Sequence, residues 1–100
     1  MKNRRELIVE WDFPHVQRFG VTLVARKNWD ACVQKIFADG CQFYGYDAFR
    51  VFDDGSIQPN GEWDRTWKEN TAPKLDEVLI QLTKIQPEIT HIEFVFSKAT

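Results

Sequence analysis

A chain of 100 residues, 43% hydrophobic and 28% charged, has the composition of a folded domain and is too short to divide into two cores. Its net charge of −2 lacks the basic excess that nucleic-acid binding proteins usually carry, so no nucleic-acid partner is expected. No apolar run approaches a membrane span, and the basic start at Lys2, Arg4 and Arg5 is followed only by Leu7, Ile8 and Val9 before Glu10, too short for a secretory signal; no membrane contact and a cytoplasmic location are expected.

Residues 5 to 12 alternate, with Leu7, Val9 and Trp11 on one side and Ile8, Glu10 and Asp12 on the other, which predicts a first strand ended by Phe13-Pro14-His15. Alternation resumes from Arg18 to Ala25, with Phe19, Val21, Leu23 and Ala25 on one face, and predicts a second strand in a hairpin with the first. Asn28 suits a helix N-cap, Trp29, Cys32, Val33, Ile36 and Phe37 recur at helical spacing, and Gly40 supplies a left-handed stop. The run Cys41 to Phe52, rich in Phe, Tyr and Val, predicts one bent strand or two short ones, bent at Gly45 or Asp47.

Asp53-Asp54-Gly55-Ser56 reads as a tight turn and Pro59-Asn60-Gly61 as another, which leaves residues 53 to 71 mostly irregular. A second helix, capped by Thr71 with Pro73 in its first turn, buries Leu75, Val78, Leu79, Leu82 and Ile85 and ends at Pro87. Thr90 to Ser97 sets Ile92, Phe94 and Phe96 against His91, Glu93 and Val95 as the last strand.

With the first strand set aside as an extension, the order is strand, helix, strand, strand, helix, strand. This predicts a single α+β domain over residues 1–100, a two-layer sandwich with two helices on one face of a mainly antiparallel sheet, ferredoxin-like (split βαβ) with an extra N-terminal strand. Phe19, Val21, Leu23, Ile92, Phe94 and Phe96 are expected to form the sheet side of the core. The other face would then leave Ile8, Val24, Val95 and Tyr44 uncovered, a patch that points to a homodimer through it.

Chemistry is sparse in this sequence. Cys32 and Cys41 make neither a disulfide scaffold nor a closed zinc site and read as reduced, small buried side chains. His91 and Glu93 share a strand face, as two metal ligands or a base and its orienting carboxylate would, yet no third ligand stands at a characteristic spacing and the Pro-Cys-x-x-Cys of the zinc deaminases is missing. Gly55 and Ile57 match a calcium loop, but Arg50, Phe52 and Gly61 stand where its oxygen ligands belong. No catalytic residue, metal or cofactor is assigned, and Lys2, Arg4, Arg5, Arg26 and Lys27 read as ordinary charged surface.

One region stands out by composition. From Asp47 to Asp64 five acids, Asp47, Asp53, Asp54, Glu62 and Asp64, face a single base, Arg50, and Trp63 and Trp67 lie in or beside the run. Rings next to carboxylates on irregular backbone suit a cationic partner. The leading expectation is therefore a small non-enzymatic, inhibitor-like protein that presents Trp63, Trp67, Asp53, Asp54, Glu62 and Asp64 to a basic protein partner. The alternatives are a small-ligand sensor or carrier with a pocket walled by Tyr44, Tyr46, Trp63 and Trp67, and a small enzyme using His91 with a carboxylate.

Overall fold

Asn3 begins the first element, α1 (Arg4–Glu10), by a capping box: its side-chain oxygen accepts from the Glu6 amide while Glu6 reaches back to the Asn3 amide. The strand expected over residues 5 to 12 is therefore a helix. Leu7 and Ile8, adjacent in sequence, are both buried, and Trp11 stacks on Phe96, an i, i+1, i+4 set that one helix face supplies and a strand cannot. The alternation of Leu7 with Trp11 fits both periods, which is why it misleads.

The computed structural model describes residues 2–68 and 71–98; Glu69 and Asn70, within the stretch expected to be irregular, lie outside the described residues. Among the described residues the remaining α-helices and strands are β1 (His15–Arg18), β2 (Val21–Ala25), α2 (Trp29–Ala38), β3 (Gln42–Val51), β4 (Ile57–Pro59), β5 (Arg65–Thr66), α3 (Leu75–Thr83) and β6 (His91–Ser97). The extra N-terminal strand exists, but it is β1, and the hairpin turn is Phe19-Gly20 with φ of 48° and 81°. Both central residues of this tight turn sit in the left-handed region, where a residue other than Gly, Asn or Asp costs about 1–2 kcal/mol. Phe19, expected in the core, is instead 90% exposed.

Among the described residues the sheet is six-stranded, ordered β1-β2-β6-β3-β4 with β5 beside β4 on the far edge of β3, and each of these pairings is antiparallel. Within the strand-helix-strand-strand-helix-strand core, β6 lies between β2 and β3, and β3 lies between β4 and β6. Both crossovers are thus split by an antiparallel strand, as expected. The ferredoxin-like order is not confirmed, because the second and last strands of the core occupy the centre.

Paired residues of antiparallel strands share a face. One face carries Val24, Phe43, Tyr46, Ala48, Ile92, Phe94 and Phe96, and these join Leu7, Ile8, Cys32, Val33, Ile36, Val78 and Leu82 in one cluster, so α1, α2 and α3 cover that face. Val24 and Ile8 belong to this core and leave the uncovered face, on which Tyr44 and Val95 remain, both half-buried. Leu23 and Phe49 are buried outside the cluster, on the opposite face. The hydrophobic assignment of β2 is thereby inverted, while that of β6 holds. The Arg18 Nε donates to the Gly55 carbonyl at 3.3 Å, so the sheet curls far enough for its two edges to meet.

Gly40 ends α2 at φ 73°, as expected, while Asn28 occupies the cap position without a capping hydrogen bond. The bend in β3 falls at the Phe43/Gly45 bulge, and α3 starts at Leu75, later than Thr71 predicts. Arg26, expected to be plain surface, lies over Trp29 at 4.3 Å and donates to the carbonyls of Ile85, Gln86 and Ile89 beyond the end of α3. Cys32 is buried and free, its thiol pushed up to about 12 by burial, which makes it inert as a nucleophile.

Candidate binding site

The acidic stretch is built on the side of β3 away from β6, where β4 and β5 pair. After the β3–β4 hairpin, a 3₁₀ turn over Gly61–Trp63 brings the chain back, and β5 pairs with Gly45 and Tyr46. Asp64 fixes this return by accepting the Ala48 amide at 2.7 Å. The Trp67 amide then donates to the Tyr44 carbonyl at 2.8 Å, which seats the Trp67 ring against Phe43 and Tyr46 with centroids 5.9 and 6.1 Å away. Trp63 and Trp67 both pack against the core while staying half-exposed. The Arg65 guanidinium lies over the Trp67 ring at 5.2 Å.

The six expected site residues do not form one patch. Trp63, Trp67, Glu62 and Asp64 gather at the level of residues 44 to 48, whereas Asp53 and Asp54 occupy the hairpin tip, roughly 17 Å further along the strand at the usual rise per residue. Asp54 is engaged locally: it accepts from the Ser56 hydroxyl and amide, which hold its carboxyl below the usual range. Asp53 and Glu62 are exposed and make no side-chain hydrogen bond among the described residues.

A neighbour relation that the sequence separates by half its length is made by the sheet. Asp47, from the acidic run, pairs across β3 and β6 with Glu93, from the His-x-Glu pair. Burial raises the Asp47 carboxyl above its ordinary value, and the nearby Asp64 adds to this while Arg4 opposes it. Burial also raises Glu93, with Arg4 opposing and Asp47 adding. His91 is half-buried and pushed down by burial; its Nδ1 lies 2.8 Å from the Thr90 hydroxyl. Among the described residues no group of three or more His, Cys, Asp or Glu is arranged to hold a metal ion.

A folded-state carboxyl pKa above the unfolded one means that the native chain binds the proton more readily. The stabilisation is present below the ordinary Asp value of about 3.9 and is lost as pH rises through the raised folded value. Asp47→Asn is therefore expected to raise the unfolding temperature at neutral pH, with the gain shrinking toward the ordinary carboxylate range, measured by thermal denaturation of both proteins across that window. His91 titrates in both and cancels in the difference.

A cavity of about 310 Å³ lies elsewhere, where the β2–β6 pairing ends after Val24↔Ile92 and α1 crosses; Arg4, Arg5, Thr22 and Glu93 are among its polar lining. Tyr44, Tyr46, Trp63 and Trp67 do not line it. No helix among the described residues is long and apolar enough to cross a membrane. The chain matches no protein-family model, no curated protein and no solved structure.

Proposed function

We propose that this chain is a non-enzymatic binding protein that takes a basic protein partner on the β3 edge bearing Trp63, Trp67, Glu62 and Asp64. The observation that supports this reading is a pair of half-exposed indoles, held in place by core contacts and set beside exposed carboxylates. Rings fixed before binding lose little freedom on contact, and their faces attract cations, as Arg65 on Trp67 illustrates within the chain. The carboxylates steer a basic surface toward them.

Glu62→Lys tests the reading with little risk to the fold, since the side chain is exposed and makes no hydrogen bond among the described residues. Affinity capture from native lysate is run with the wild-type chain and with this variant, and the captured protein is then purified and titrated. A basic protein whose affinity falls for Glu62→Lys, and falls again with added salt, is the expected result. Capture indifferent to both changes, or of a partner without basic excess, would refute it.

A further inference from the structure

The strongest local contradiction in the molecule is Phe19. A large apolar ring stands 90% exposed at the tip of the β1–β2 hairpin, on backbone with φ 48°, a position that Asn would occupy with less strain and less exposed apolar surface. A residue that breaks two local rules at once has its return elsewhere. The adjacent Gly20 lines the 310 Å³ cavity, whose apolar lining is Ile8, Val24, Phe94 and Phe96 and which exceeds a phenylalanine side chain in size.

We infer that two copies of this chain associate about a two-fold axis at the hairpin tip, each inserting Phe19 into the cavity of the other. Because ring and cavity are neighbours in one copy, a two-fold rotation satisfies both exchanges together, as an isologous interface requires. Charges of both signs lie near the tip. The Arg18–Gly55 hydrogen bond holds the Asp53-Asp54 turn against the hairpin, and Arg4 and Arg5 line the cavity together with Glu93, so in the dimer the exposed acidic turn of each copy meets the arginines of its mate. Arginines at the cavity also suit an inserted aromatic ring. This surface is separate from the Trp63 and Trp67 edge, and either can fail without the other.

The test is sedimentation velocity up to millimolar concentration with the wild type, Phe19→Asn, Arg5→Glu, Asp53→Lys and the Arg5→Glu, Asp53→Lys double variant. The wild type is expected to form a dimer, and Phe19→Asn to weaken it by roughly tenfold or more, as loss of a buried aromatic contact implies, while unfolding at a higher temperature in dilute solution, where the wild type too is monomeric, because the turn strain is gone. Each single charge reversal should weaken the dimer and the double reversal restore it. A monomer at every concentration overturns the inference, as does a dimer that survives Phe19→Asn, a lower unfolding temperature for that variant at dilutions where both proteins are monomeric, or a double reversal that stays weak. Phe19-dependent binding of phosphatidylcholine vesicles by a strictly monomeric chain would also overturn it, in favour of a lipid surface.

Discussion

Gly45→Ala is expected to cost about 3 kcal/mol of stability and to detach β5 from the sheet. A methyl group at this position would overlap the Arg65 carbonyl oxygen and press on the Thr66 Cα, both of them backbone atoms that cannot rotate aside. Overpacking usually costs about 1–3 kcal/mol, and the upper end applies because relief requires giving up pairing at Gly45↔Thr66 and Tyr46↔Arg65. The Trp67 amide bond to Tyr44 would go with it. Denaturant unfolding gives the energy, and a red-shifted indole emission in the folded baseline reports the loosened Trp67. A loss below about 1 kcal/mol would mean that the chain at 65 and 66 does not cross β3 at Gly45.

Phe94→Ala is expected to cost about 3–5 kcal/mol, the usual range for emptying a buried aromatic site. Phe94 is 3% exposed on the middle strand, pairs with Tyr46 across β3 and sits 6.3 Å from Phe43, whose ring in turn meets Phe37 and Trp67. Removing it unsupports a run of rings from α2 to the β5 edge. Phe94→Leu, which keeps most of the volume, should cost well under half as much. If the two variants were equally mild, the inward face of β6 would be the other one, carrying His91, Glu93 and Val95.

What could be read from the residues was local. Asn28 to Gly40 announced α2 because the apolar stripe and the left-handed stop act within a dozen residues, and the bend at Gly45 showed itself as a glycine inside a strand pattern. The capping box of Asn3 and Glu6 was equally local and was available as the signal for α1, but Leu7, Val9 and Trp11 also satisfied a strand period. Phe19 misleads for a related reason: alternation runs through it, while Gly20 alone marks the turn. Strand order, by contrast, depends on pairing between distant residues, so nothing near β2 or β3 shows that β6 divides them.

The site followed the same division. Trp63, Trp67, Glu62 and Asp64 were legible as a composition anomaly, and the structure keeps them together because Asp64 and β5 tie the return to β3. Asp53 and Asp54 counted toward the same excess yet belong to a different corner. Asp47 and Glu93 belong to separate features of the sequence, and only the β3–β6 register makes them neighbours.

The central position of β6 bears on how the chain acquires its structure. β2 and β3 never pair with each other, so during synthesis they have no shared sheet until residues 91 to 97 have emerged, and their inner edges stay open for that whole interval. Pairings of such long sequence separation make folding slow and late, close to a single concerted step. Unfilled edges of this kind are where nascent chains recruit one another, so the yield of folded protein in a cell should depend on how long that gap waits for its strand.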